Sequence, residues 1–150
     1  MEKIAGFFKE YRFLSNFHLA PVEMYDVVYP ATENAYQAAK TLNPLERLPF
    51  QVCSPKEAKQ LGKNLSLRPG WNEMRETYML ALNWRKYFGN AKVGQMLLAT
   101  GDVYLEETNY WHDNFWGCCT CAACGNRGQN KLGNILMTIR NDLREKNEQR

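Results

Sequence analysis

Glu33, Gln37 and Lys40 are spaced four and three residues apart, with Tyr36 beside them. On a 3.6-residue helix the three share one face and Tyr36 lies at its edge, while Ala35, Ala38, Ala39 and Leu42 share the opposite face. A carboxylate placed this way can give or take a proton. The lysine can hold an anion, or attack a carbonyl or aldehyde carbon to form a Schiff base. Gln37 between them can orient a substrate. The alternative is a solvated polar stripe, the usual fate of a charged helix face. On either reading the small alanines let the helix lie close to a core.

A second stretch, Asn109 to Gly133, holds four of the five cysteines, two of the four tryptophans and one of the two histidines. It shows no apolar period, so it suits a site better than a scaffold. Cys121-x-x-Cys124 has metal-knuckle spacing; Cys119 is the third candidate ligand, and Cys118 or His112 the fourth. Structural zinc, free or buried thiols, and disulfide exchange are the three readings. No second CxxC pair exists, and the strand–CxxC–helix setting of redox proteins is missing. A metal here would brace the loop rather than perform hydrolysis. Further on, Gly125, Arg127, Gly128 and Lys131 precede a helix start, a setting that favours anions. This is a candidate phosphate cradle, or else a simple turn with Asn130 as N-cap. It is not a Walker A loop.

The elements that would position these residues can be read locally. Val22 to Tyr29 suggests a hairpin around Tyr25-Asp26. Thr32 looks like the N-cap of a helix from Glu33 to about Leu42, stopped by Asn43-Pro44. Ser54-Pro-Lys-Glu57 predicts a capped helix ending near Gly62. Trp71, Met74, Tyr78 and Leu82 predict a longer one over Trp71–Phe88. Lys92–Ala99 reads as another helix and Val103–Glu106 as a short strand. Leu132, Ile135, Leu136, Ile139 and Leu143 stripe a last helix from about Lys131. The expectation is a mostly helical α+β single domain over residues 1–150, with a few short strands and a charged, fraying tail at 145–150.

Composition narrows the function. A length of 150 residues suits one domain. The net charge of +3 accepts an anionic ligand but makes no dense basic stripe for duplex nucleic acid. There is no apolar run of about 20 residues to span a membrane. The first residues lack the apolar core of a signal peptide, so a cytoplasmic location with reduced cysteines is expected.

Ordered blocks along the chain add a resemblance. They are Phe13-Leu-Ser-Asn-Phe17, Thr32-Glu-Asn-Ala-Tyr-Gln-Ala-Ala-Lys40, Ser54-Pro-Lys-Glu-Ala-Lys-Gln-Leu-Gly62, and Trp71 with Met74, Arg75 and Met79. Leu98-Ala-Thr-Gly-Asp102, Leu105-Glu106, Asp113-Asn-Phe-Trp-Gly117 and Gly128-Gln-Asn-Lys-Leu-Gly133 follow, with Leu136-Met137 and Arg140 closing the series. Together they resemble the NADAR (NAD- and ADP-ribose-associated) family, which includes the YbiA-like N-glycosidases. The resemblance spans about Phe7 to Leu143. One departure is Asn34, where the family often has His; an amide does not titrate, which suggests a supporting role.

The resemblance implies hydrolysis of the bond between a ribose carbon and a base-like nitrogen. Family substrates include phosphoribosylamino-pyrimidine intermediates of riboflavin synthesis and ADP-ribose on the amino group of guanine. Such cleavage builds positive charge on the sugar. Glu33 is the first candidate for acid/base work and Asp113 the second carboxylate. Lys40 would hold a phosphate or hydroxyl, or act covalently at C1. Trp71 and Trp116 are candidates to stack a ring. For Trp71 core packing is an equal reading; Trp116 stands outside any periodic run, which favours the site. Asn16 would bond ribose or base, or simply turn the chain. Tyr36, Gln37, Gly117, Arg127, Gly128 and Asn130 complete the candidate binding set. No cofactor is required for catalysis on this reading. The expected partner is a ribosylated small molecule or ADP-ribosylated nucleic acid as substrate, with no membrane and no obligate protein partner. The rival is a non-catalytic module that binds ADP-ribose, NAD or nucleic acid; a zinc-stapled nucleic-acid module is a third reading, against which the mild charge weighs.

Overall fold

The computed structural model describes residues 2–149. In chain order the strands are β1 (Lys3–Ala5), β2 (Leu19–Met24), β3 (Val27–Ala31), β4 (Tyr104–Glu106), β5 (Thr108–Asn109) and β6 (Cys118–Cys119). The α-helices are α1 (Thr32–Ala39), α2 (Pro44–Arg47), α3 (Pro55–Leu61), α4 (Trp71–Gly89), α5 (Ala91–Ala99) and α6 (Lys131–Glu148). This is the mostly helical α+β class that the sequence predicts. The chain gathers into two compact units, which by position in the sequence are an outer unit, residues up to Ser15 with those from Lys92 on, and an inner unit, Asn16–Ala91. No helix among the described residues is long and apolar enough to cross a membrane.

The inner unit starts with the expected hairpin. Met24 pairs with Val27, and Tyr25 and Asp26 between them take φ of 53° and 64°. Two positive φ values give the two-residue turn whose twist matches the strands. Ala20, Val22 and Met24 are buried in alternation, as a half-buried strand requires. Pro21 sits where the register shifts, between Leu19 and Val22, a place that tolerates its missing N–H. The buried face packs on α1 and α4.

Helix α1 begins one residue earlier than its sequence signal, with Ala31 at the capping position. The reason is that the Glu33 N–H finds the Asn16 carbonyl at 3.0 Å instead of a side-chain cap. It also ends at Ala39 rather than Leu42. The Arg68 N–H donates to the Lys40 carbonyl at 2.7 Å and Thr41 bridges Leu67, which draws the chain out of the helix. Leu42, assigned by periodicity to the apolar face, is consequently 61% exposed. Asn43-Pro44, expected to stop α1, lies beyond its end and serves the next helix instead. The Asn43 Oδ1 accepts the Leu45 N–H at 3.0 Å and starts α2. Helix α3 carries the predicted capping box, with Ser54 and Glu57 bonding reciprocally at 3.1 Å. Along α4, Trp71, Met79 and Leu82 are buried, but Met74 faces outward.

In the outer unit β1 pairs in parallel with β4, and β5 in parallel with β6. Pairings of two or three residues leave no period to read, so the sequence does not predict them. Helix α6 buries Leu132, Leu136, Ile139 and Leu143. It runs to Glu148 and so takes in the charged residues from Glu145; Arg150 lies outside the described residues. Arg140 anchors it by donating to the Thr100 hydroxyl at 2.9 Å and the Val103 carbonyl at 2.8 Å.

Asn130 occupies the capping position of α6, at φ 48°, yet its side chain does not cap the helix. Its Oδ1 accepts the Glu107 N–H at 3.0 Å, and its Nδ2 donates to the Leu105 carbonyl at 2.9 Å and the Tyr104 hydroxyl at 3.0 Å. The amide thus ties α6 to β4. Gly133 permits the approach: a Cβ there would lie 2.1 Å from the Leu105 oxygen and 2.5 Å from both amide atoms of Asn130. At an open helix site Gly→Ala gains about 1 kcal/mol. Here the opposite sign is expected. Gly133→Ala should cost roughly 1–3 kcal/mol through overpacking, a fall in Tm of about 2–10 °C by thermal melting. An unchanged or higher Tm would contradict the close packing of α6 on β4.

Candidate active site

Every residue of α1 is buried, so its polar face is not a solvated stripe. Glu33 is 7% exposed and Gln37 5%. A carboxylate removed from water needs hydrogen-bond donors. Gln37, one turn on, donates its Nε2–H to Glu33 Oε1 at 2.8 Å. The residue after α3 closely approaches Gln37: a Cβ on Gly62 would fall 1.9 Å from its Oε1, a buried oxygen with no hydrogen-bond partner among the described residues. Lys40 follows as a half-buried side chain whose ammonium stands 5.6 Å from the Tyr36 ring centre. Burial lowers the Lys40 pKa below that of a free lysine. The charge of Glu33 opposes this, and those of Arg75 and Lys59 reinforce it.

An aromatic row backs this face. Tyr36 meets Trp71 at 5.3 Å between ring centres, and Trp71 meets Tyr78 at 5.7 Å. Trp71 is 5% exposed, so it packs as part of the core while supporting the ring that Lys40 faces. Arg68 extends the row, donating from Nη1 to the Tyr78 hydroxyl at 2.9 Å. Its Nε and Nη2 are buried with no hydrogen-bond partner among the described residues.

Asn16 is committed at both ends. Its carbonyl holds the first turn of α1, its Oδ1 accepts from Asn83 at 3.2 Å, and its Nδ2 lies 3.3 Å from the Met79 sulfur. Asn34 is fully buried and donates to the carbonyls of Phe50 and Cys53 at 3.0 and 2.8 Å. It braces the segment before α3, in keeping with a supporting role. Arg68, Tyr78 and Asn83 carry no signal of a site role in the sequence. Asn83 lies inside a helical pattern and its partner Asn16 is 67 residues away, while Arg68 and Tyr78 meet across ten residues that match no helical or strand repeat.

The outer unit holds the remaining candidates. Asp113 Oδ1 accepts the N–H groups of Phe115 and Trp116 at 3.1 and 2.9 Å, so this oxygen shapes the loop carrying the half-buried Trp116. Asn109 brackets Asp113, donating to its carbonyl at 2.8 Å and accepting its N–H at 3.2 Å. Gly117 and Gly128 are needed for close backbone approach: their Cβ atoms would fall 1.9 Å from the Glu107 oxygen and 2.1 Å from the Gly117 oxygen. The expected anion cradle has its donors occupied. The N–H groups of Gln129, Asn130, Lys131 and Leu132 donate to the carbonyls of Asn114, Gly117, Phe115 and Trp116. The Asn130 amide is spent on β4; of the two cations of that turn, the exposed Arg127 donates from Nε to the Cys124 carbonyl at 3.3 Å, and the Lys131 ammonium stands 5.2 Å from the Phe115 ring centre.

The thiols separate into two kinds. The ligand atoms of His112, Cys119, Cys121 and Cys124 all lie within 4.8 Å of one another. Burial opposes ionisation of Cys119, but N–H donation from Cys121 and His112, aided by the Cys121 and Cys124 thiols, outweighs it and brings its pKa down to about 7. Cys118, the next residue in the strand, lies outside the cluster. Burial, then the charge of Glu106 and a hydrogen bond to it, raise its pKa.

Comparison with known proteins places this arrangement. Residues 6–144 match the NADAR domain. The chain is 31% identical to N-glycosidase Npun_R5314 of Nostoc punctiforme, over 89% of this chain and 86% of that protein. It is 30% identical to N-glycosidase YbiA of Escherichia coli, over 89% and 82%. It also matches riboflavin biosynthesis protein VVA0006 of Vibrio vulnificus, 32% identical over 89% of this chain and 36% of that longer protein. The NMR structure of the E. coli protein YbiA superposes with a TM-score of 0.85 at 27% identity, covering 99% of this chain and 89% of that one. The protein is thus a glycosidase, a hydrolase acting on N-glycosyl bonds. The chain belongs to the NADAR family.

Because Gly62 faces Gln37, a methyl group there should push the amide off Glu33. The displaced atom is the far end of a flexible side chain, so the fold should survive. Gly62→Ala and Gln37→Ala are expected to lower kcat/KM alike, by roughly 10–100-fold, with little change in Tm. Full activity in Gly62→Ala would show that the grip of Gln37 on Glu33 is dispensable.

Proposed function

We propose that the protein hydrolyses the bond between ribose C1 and a base or amino nitrogen, removing ADP-ribose from guanine-type bases or cleaving phosphoribosylamino-pyrimidines. The observation that carries this reading is the buried Glu33, held by Gln37 on the same helix face as a lysine of lowered pKa. The name of the Vibrio relative supports the pyrimidine class. The substrate is a ribosylated small molecule or an ADP-ribosylated nucleic acid. Hydrolysis exchanges no electrons, so the reaction asks for no redox cofactor.

In the reaction the C1–N bond breaks, the oxygen of water ends on C1, and a proton goes to the departing nitrogen. Positive charge grows on the sugar as the bond stretches. Glu33 supplies the negative charge and the proton traffic. Two parts are open to Lys40. As a cation it holds a phosphate or hydroxyl. As a neutral amine it adds to C1 of the ring-opened sugar, the departing nitrogen then leaves C1 carrying a proton, and the imine left between C1 and Lys40 is cleaved by water, which frees the lysine and gives C1 its oxygen. Burial, by favouring the neutral amine, supports the second part.

A mass-spectrometric screen tests the substrate: ADP-ribosylated guanine DNA, NAD and phosphoribosylamino-pyrimidines are incubated with protein and scanned for released base and sugar. Release from none of them would overturn the proposal. Glu33→Gln should fold normally and lose at least about 100-fold in turnover. Removing this carboxylate also removes the charge that raises the Lys40 pKa. The variant therefore has more neutral amine, and its inactivity would be due to Glu33 itself. Near-wild-type turnover would remove Glu33 from the mechanism.

Borohydride added during turnover should trap Lys40 as a covalent adduct, identified by peptide mapping. On that route the rate rises with pH as Lys40 loses its proton, with a midpoint below that of a free lysine. Absence of an adduct in active enzyme, with no such limb in the pH profile, would assign Lys40 the ionic part.

A further inference from the structure

Four potential ligand atoms converge in the outer unit, on side chains to which the reaction above assigns no part. The Nδ1 of His112 lies 3.3 Å from the Cys121 sulfur, 3.5 Å from Cys124 and 3.8 Å from Cys119. A tetrahedral zinc with Zn–S of about 2.3 Å and Zn–N of about 2.0–2.1 Å would hold nitrogen and sulfur about 3.5 Å apart. The three separations bracket that value. We propose that His112, Cys119, Cys121 and Cys124 form a structural zinc site.

The surroundings match what thiolate ligands require. Backbone N–H groups point at the sulfurs: His112 and Cys121 donate to Cys119 at 3.3 and 3.5 Å, and Cys124 donates to Cys121 at 3.4 Å. The Asn114 amide donates to the Cys124 sulfur at 3.2 Å. Outer donors of this kind orient metal ligands and spread thiolate charge. Strand geometry decides the fourth ligand. Neighbouring residues in a strand face opposite ways, so β6 turns Cys119 into the cluster and Cys118 towards Glu106. The set has the spacing H-x6-C-x-C-x2-C, with all four protein positions filled as in a closed structural site rather than a catalytic one.

Asn114 links the site to the rest of the loop. Besides bonding the Cys124 sulfur, its Oδ1 accepts the Cys119 N–H at 3.0 Å and its carbonyl accepts the Gln129 N–H at 2.8 Å. The metal would therefore fasten the loop of Asp113–Gly117 to the turn before α6. This role is independent of the substrate proposed above.

The test is metal analysis of the full chain, purified without a histidine tag under reducing conditions. About one zinc per chain is expected; less than about 0.2 would overturn the proposal. Replacing the metal with cobalt should give thiolate-to-cobalt charge-transfer bands and the visible bands of a tetrahedral site. Octahedral spectra would overturn it. Cys121→Ser and His112→Ala should lose the metal, while Cys53→Ser and Cys118→Ser keep it; loss in Cys118→Ser with retention in His112→Ala would refute this ligand set. Should the ligand variants fail to fold, wild-type protein still decides. Three thiols should resist a thiol reagent until a chelator is added, and equal reactivity without chelator would sink the proposal. So would an intact mass showing a disulfide in place of metal.

Discussion

A carboxylate taken almost wholly out of water must be met by hydrogen-bond donors, and the structure around Glu33 follows from that demand. Gln37 supplies a donor from the next turn of the same helix. Gly62 leaves space for Gln37. The Asn16 carbonyl takes the Glu33 N–H, and the Asn16 amide is fixed by Asn83. Fully buried alanines at 35, 38 and 39 let the helix sink to the depth at which these bonds form. An apolar residue would fill position 33 at lower cost. The segment maintains a buried acid instead, which is the arrangement a proton-transfer group needs.

Features governed by neighbours in sequence are legible in the sequence itself. The Tyr25-Asp26 turn, the Ser54–Glu57 capping box and the apolar stripe of α6 each rest on residues within a few positions of one another. The spacing of Glu33, Gln37 and Lys40 is legible for the same reason. Its burial is not, because the same spacing suits a solvated face; only packing against α3, α4 and β3 settles the matter. Side-chain direction is also hidden. Asn130 reads as a cap, yet its amide points back to β4. Likewise Cys118 and His112 compete for one role on paper, and alternation in β6 separates them. Asn83 gives no signal, since its partner Asn16 lies far off in the chain, and Arg68 gives none because its bond to Tyr78 follows no helical or strand spacing.

The two compact units differ in how their chemistry is supported. In the inner unit a helix face carries the titratable groups, so their spacing is set by the α-helical repeat. In the outer unit, loops carry the ligand atoms and Asp113. Their geometry depends on Asx-type bonds, glycines at close backbone contacts and the Asn114 amide. The first arrangement tolerates little adjustment of spacing. The second can be loosened by a single lost hydrogen bond.

The pairing of Ile4 with Leu105 also bears on how the protein is made. A ribosome adding about 5–20 residues per second needs roughly 5–20 s between these two residues. Throughout that interval β1 has no partner strand, while Asn16–Ala91 emerges in one uninterrupted stretch and can fold as it appears. β1 is thus paired only after all of Asn16–Ala91 has been made, and the nascent chain carries an open strand edge throughout that stretch.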